Sequence, residues 1–103
     1  MLFRSAAWAG VAAAQDSADA AWTRGDMAAA RQLYAERLAA DSSDIRALHR
    51  LGLMLAWDTQ YDESLTLFDH LLTISPENVE ARIDRARVLA WARSEEHTSD
   101  SSH

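Results

Sequence analysis

IRALHRLGLMLAW-DTQ-YDESLTLFDHLLTI-SPEN, residues 45–78, is the stretch that decides how this chain folds. In its first segment Leu48, Leu51, Gly52 and Leu55 recur at intervals of three and four, and Leu65, Phe68 and Leu72 do the same in the second. Those intervals gather each set on one side of an α-helix, so two amphipathic helices are predicted, joined by Asp58 to Gln60. The closing SPEN is expected to open a further helix. Ser75 can cap it, Pro76 suits its first turn, where a missing N–H costs nothing, and Glu77 complements the helix dipole.

The same text recurs at an offset of 34. Met27 falls on Tyr61, Ala30 on Ser64, Leu33 on Leu67, Tyr34 on Phe68 and Leu38 on Leu72. Ala47 falls on Ala81, Gly52 on Ala86, Leu55 on Leu89, Ala56 on Ala90 and Trp57 on Trp91. The turn DTQ corresponds to Arg24-Gly25-Asp26, whose glycine suits a helix C-terminus and whose aspartate suits an N-cap. SPEN corresponds to Asp41 to Asp44, there without proline. An array of helix–turn–helix repeats is the architecture that such a period predicts.

These residues resemble the tetratricopeptide repeat (TPR) family, whose helical hairpins are 34 residues long. Residues 45–78 carry the pattern best: Leu48, Leu51-Gly52, Leu55, Tyr61, Ser64, Phe68, Leu71 and Pro76 stand at the family's repeat positions, with serine where alanine is commoner. Residues 11–44 match in their second helix, and residues 79–92 supply a first helix only. The resemblance implies an all-α solenoid of antiparallel helix-turn-helix units, about two and a half repeats long. It implies that Gly52 and Ala86 let paired helices approach closely and that Tyr34 and Phe68 fill the gaps between units.

Composition agrees with a helical domain. Hydrophobic residues make up 49% of the 103-residue chain, with three glycines and one proline, too few turn-formers for a many-stranded β fold. There is no cysteine, which excludes disulfides, thiolate zinc sites and thiol catalysis. The net charge of −6 argues against nucleic acid as a partner. All ten basic residues are arginine, which reads either as selection for bidentate contacts or as the codon usage of a GC-rich genome.

Both ends depart from the repeat. Glu95 and Ser99 stand where Tyr61 and Leu65 would predict apolar residues, so no second helix is expected after Ala92. Arg93 to Ser99, RSEEHTS, resembles the translation of a DNA-sequencing library adapter, AGA TCG GAA GAG CAC ACG TCT. One dropped base in its continuation yields Asp100 to His103, and Leu2 to Ser5 matches the complementary adapter end. The expectation is therefore an adapter-derived segment at residues 1–5 and an adapter-derived, disordered tail at residues 93–103, flanking a fragment of a longer protein. Without them the chain keeps 8 basic and 13 acidic residues. Residues 6–15 are apolar, with small Ala12 and Ala14 spaced as at a signal-peptidase site. They read as a signal-peptide remnant or as an alanine-rich lead-in to the first repeat.

In the family, first helices of successive repeats line a groove that binds peptide segments. By that resemblance the groove candidates are Arg46, His49, Arg50, Leu53, Ala56 and Trp57 in one repeat and Glu80, Ile83, Arg87, Ala90 and Trp91 in the next. The family's chaperone-binding subgroup grips a terminal carboxylate with lysines and asparagines. Arg46, His49, Arg50 and Leu53 occupy those places here, so that specificity is not implied. Arg46, Arg50 and Arg87 can engage an acidic partner or form local pairs with Glu80 or Asp84. Trp57 and Trp91 are either stacking platforms or packing residues. His49, His70 and Asp69 form no metal-binding spacing, and neither a phosphate-binding glycine loop nor a nucleophile elbow occurs. No catalytic residue, metal or cofactor is predicted.

The expected function is a non-catalytic scaffold for a protein or peptide segment, touching a membrane only through a further domain. The wording LMLAWDTQYDES and ARVLAW resembles the periplasmic repeat region of bacterial outer-membrane proteins, of the YaiO β-barrel type or of exopolysaccharide secretion. A cytoplasmic adaptor or assembly factor, or the repeat appendage of an enzyme, are the alternatives.

Overall fold

The computed structural model describes residues 17–101, with side chains through Glu96. Residues 1–5 and 6–15, read above as adapter and signal remnant, lie outside the described residues. Every element among those described is a helix: α1 (17–24), α2 (Met27–Ala40), α3 (Ile45–Trp57), α4 (Tyr61–Ile74) and α5 (Val79–Ser101). The chain divides into two compact units between Ala47 and Leu48, a division that falls within α3.

In the first unit, α1 and α2 form a hairpin. Gly25 takes φ +80°, its N–H donates to the Trp22 carbonyl, and the Asp26 N–H donates to the Ala21 carbonyl at 2.9 Å. Glycine adopts that left-handed conformation without a Cβ penalty, which is why α1 stops there. Asp26 then caps α2 by accepting from the Ala29 N–H. Ala18, Ala21, Ala30 and Tyr34 are wholly buried between the helices, with the Trp22 ring edge-on to Tyr34 at 6.4 Å.

The second unit contains the α3–α4 hairpin and α5, which packs on α4. One repeat after Gly25, Thr59 holds the same left-handed place at φ +60°, a conformation costing a non-glycine residue of order 1–2 kcal/mol. The Gln60 N–H donates to Leu55 at 2.8 Å, as Asp26 does to Ala21, so the turn is kept although its glycine is not. Above the turn α4 comes close to α3. A Cβ on Gly52 would lie 2.8 Å from Cε2 of Phe68, well inside van der Waals contact. Ser64 is fully buried beside it, and its hydroxyl donates to the Gly52 carbonyl at 2.6 Å. That bond gives the buried serine hydroxyl an acceptor. Phe68 thus lies against the partner helix of its own hairpin.

The loop before α5 differs from expectation. Ser75 closes α4, its N–H donating to Leu71, and Asn78 caps α5, its side-chain oxygen accepting from the Ala81 N–H at 3.0 Å. Pro76 and Glu77 form the middle of a turn closed by the Asn78 N–H on the Ser75 carbonyl. Proline's fixed φ suits the second position of such a turn as well as it suits a helix start. Asp41 and Asp44 build the same turn and cap before α3, Asp44 accepting from Ala47.

Two further corrections concern α5. Its backbone is helical through Ser101, where a disordered tail is expected from Arg93. The segment from Arg93 holds no proline or glycine to stop it, and the Tyr61 hydroxyl donates to Glu95 at 2.6 Å. Ala86, expected to face a closely packed helix as Gly52 does, is exposed. Since α5 runs straight on, no returning helix among the described residues covers it.

Candidate functional site

On α3 the side chains Arg46, Arg50, Leu53 and Trp57 follow one another at helical spacing. So do Glu80, Arg87 and Trp91 on α5, with Asp84 between them. Within the second unit the two helices are joined directly. Nε2 of His49 hydrogen-bonds Oδ2 of Asp84 at 2.6 Å, and because an ionised carboxylate only accepts, the shared proton belongs to the imidazole. The His49 ring also stands edge-on to Phe68 at 5.6 Å, so this residue is a part-buried strut rather than a groove contact. The other Asp84 oxygen accepts from Arg87 Nη1 at 3.1 Å. That pair leaves the Arg87 guanidinium more than half exposed, and an exposed i,i+3 pair contributes little energy, so Arg87 can exchange Asp84 for another carboxylate.

Around this strut the face is apolar and open. Trp57 is 53% exposed, while Leu53 and Trp91 are half-buried beside it in their helices. Arg50 is half-buried, Glu80 is exposed, and Ile83 is exposed towards the outer side of α5. Two tryptophans one repeat apart, with a leucine and arginines at the intervening turns, make a surface for stacking and carboxylate contact. Among the described residues no three histidine or carboxylate side chains converge as metal ligands.

Arg46 has a different place. In the first unit its Nη1 donates to Asp19 Oδ2 at 2.7 Å. Asp19 also accepts from the Tyr34 hydroxyl at 2.5 Å and lies 3.5 Å from Arg37 Nη1. Burial raises the pKa of Asp19, but the hydrogen bonds from Tyr34 and Arg46 and the charges of Arg46 and Arg37 outweigh it. Together they hold the carboxyl below its ordinary 3.8. A depressed carboxyl contributes stability above its unfolded pKa and loses it as pH falls through the folded value. The melting difference between the wild type and Asp19→Asn is therefore expected to be constant near neutrality and to close below pH 3.8. A difference that persists in strong acid would show that the carboxylate charge is not its source.

A recess opens beside the α3–α4 turn. Thr59, Tyr61, Asp62, Ala92, Glu95 and Glu96 line a shallow cleft of about 310 Å³. The Glu95 carboxylate accepts a hydrogen bond from the Tyr61 hydroxyl and holds that phenol above its usual pKa of 10.0, with desolvation and the carboxylate charge acting the same way. Of the cleft's acidic groups, Glu95 is thus engaged by the Tyr61 hydroxyl.

Neither Asp19 nor Asp84 was legible as a site residue from motif spacing. For Asp84 a signal existed: it lies 35 residues from His49, one repeat and one residue, which sets the two on consecutive first helices. Asp19 lacks such a cue, because its partners come from the second helix and from the next repeat. Comparison with protein-family models and with curated proteins finds no match for this chain.

Proposed function

We propose that this chain is a non-catalytic, TPR-type scaffold that holds a peptide segment along the face shared by α3 and α5 in its second unit. The observation that carries this reading is the exposure of Trp57, a large apolar side chain on a structured helix, aligned with Leu53 and repeated by Trp91. Exposed aromatics of that kind dominate binding energy where a partner covers them. Arg87, tied only to Asp84 at the surface, supplies a guanidinium for a partner carboxylate.

Labelled synthetic peptides with an apolar side chain beside a carboxylate are the direct probe, read by fluorescence anisotropy. A subset is expected to bind, and Trp57→Ala to weaken those by roughly ten-fold or more, the effect of a hot-spot truncation. Circular dichroism of the variant should remain that of the wild type. Equal binding by wild type and Trp57→Ala would overturn the assignment of the site.

Residence in a bacterial periplasm, within a larger envelope protein, is the accompanying proposal. It is supported by the apolar Ala6 to Gln15 stretch with its small residues at Ala12 and Ala14. No helix among the described residues is long and apolar enough to cross a membrane.

A further inference from the structure

Asp84 divides its carboxylate between two donors. One oxygen accepts from His49 Nε2 at 2.6 Å across the two helices, and the other accepts from Arg87 Nη1 at 3.1 Å within α5. The donors stand in different settings. His49 and Asp84 are each 16% exposed, whereas Arg87 is 55% exposed and stands one turn before Trp91. They also respond differently to acid. Carboxylates and guanidinium groups keep their charge between about pH 5.5 and 8, while imidazole changes its charge in that range. Asp84 is the charged group that touches His49 among the described residues. From α4 the ring meets Phe68, and the following Asp69 is held by Arg85 at 2.6 Å. On α5 Glu80 and Arg87 stand one turn to either side of Asp84, and within α3 Arg46 donates to Asp19 while Arg50 follows His49 in the chain. None of these neighbours changes charge where the imidazole does.

We infer that His49, Asp84 and Arg87 form a proton-gated carboxylate site, in which protonation of His49 satisfies Asp84 and releases Arg87 to a carboxylate of the bound peptide. The inference rests on the peptide-binding reading of this face and adds its regulation. A neutral imidazole gives Asp84 a hydrogen bond without a charge, so Arg87 alone balances the carboxylate. Asp84 then occupies the guanidinium that a partner needs, as an internal competitor. An imidazolium supplies hydrogen bond and charge together, the stronger combination, and Arg87 is no longer required there. The coupling is reciprocal: a peptide carboxylate that draws Arg87 away leaves Asp84 to His49 and favours the protonated ring. Binding therefore takes up a proton, and acidic peptides bind more tightly as the pH falls from about 8 to 5.5. A glutamate side chain, ordinarily titrating near 4.3, stays ionised throughout that range.

The probe is a pair of synthetic peptides, drawn from those that bind in the anisotropy assay and alike except for glutamate or glutamine at one position. The glutamate peptide is expected to bind about five-fold or more tightly at pH 5.5 than at pH 8, and the glutamine peptide equally at both. His49→Gln keeps an N–H for Asp84 and should bind the glutamate peptide with one affinity at both pH values. Wild-type binding that ignores pH would overturn the inference and leave the groove reading intact. A pH dependence that survives His49→Gln would do the same. The free chain supplies a test without peptide. NMR of the imidazole protons, with the His49 signal identified by its loss in His49→Gln, reports the fraction of imidazolium near pH 7. Arg87→Gln should raise that fraction, and Arg82→Gln, which removes a cation of the same helix on another side, should not. An unchanged fraction in Arg87→Gln, or an equal rise in both variants, overturns the competition for Asp84. Failure of every peptide to bind at either pH would overturn the groove reading and the peptide carboxylate with it, and the free chain alone then judges the competition.

Discussion

Replacing Phe68 with alanine is expected to cost about 3–5 kcal/mol of folding stability, the range for emptying a buried aromatic site. Small domains carry only about 5–15 kcal/mol in total, so much of the folded margin disappears. Phe68 is wholly buried, touches the backbone at Gly52 and stands edge-on to His49. The loss therefore loosens the α3–α4 hairpin and the seat of the His49–Asp84 bond together. The thermal midpoint followed by circular dichroism should drop by roughly 12 °C or more. A companion substitution locates the cause. Gly52→Ala gains about 1 kcal/mol in helix propensity but crowds Phe68, an overpacking that costs about 1–3 kcal/mol. In the Phe68→Ala background that crowding is gone, and Gly52→Ala should become stabilising. If Gly52→Ala has the same effect with and without the ring, the close approach of the helices is not what requires glycine.

Arg37→Met is the second large effect, and it acts in the first unit. Arg37 grips Asp44 with two parallel bonds, Nε to Oδ2 at 2.9 Å and Nη2 to Oδ1 at 3.1 Å. Only 12% and 14% of the two side chains remain exposed, and the guanidinium also lies 5.2 Å from the Tyr34 ring centroid. Methionine keeps most of the packing but leaves the Asp44 carboxylate without its cation, a loss of about 3 kcal/mol or more for a buried pair. Asp44 also caps α3 at Ala47, so helix fraying at Ile45 should accompany the loss. Arg37→Lys should recover only part of it, because an ammonium cannot span both oxygens or lie flat against the ring. A cost for Arg37→Met below about 1 kcal/mol, the range of an exposed pair, would contradict this account.

The helical content and the turns were legible because they depend on residues close together in the chain. The three-and-four spacing of Leu48, Leu51 and Leu55 dictates a helix, and Gly25-Asp26 stops one helix and starts the next. The loop at Ser75 to Asn78 was located but assigned the wrong roles, since serine, asparagine and proline each satisfy more than one position of such a turn. Thr59 in a glycine's conformation was signalled only by the offset that sets it on Gly25, because the Gln60–Leu55 bond and the helices on either side impose what threonine itself disfavours.

The candidate site was legible as a face but not as a set of free groups. The family resemblance placed Arg46, His49, Arg87 and Trp57 on a groove lined by first helices. It could not tell that His49 reaches Asp84, that Arg46 reaches Asp19, or that Trp57 stays open.

By itself, then, the sequence determined a repeated helical hairpin, its 34-residue period and the residues that end each helix, because those follow from local spacing and backbone preference. The tertiary structure alone decided that Gly52 is covered while Ala86 is bare, and which arginines already hold a carboxylate. Those outcomes depend on which helix lies across which, and burial and ion pairing are properties of that neighbour rather than of the residue.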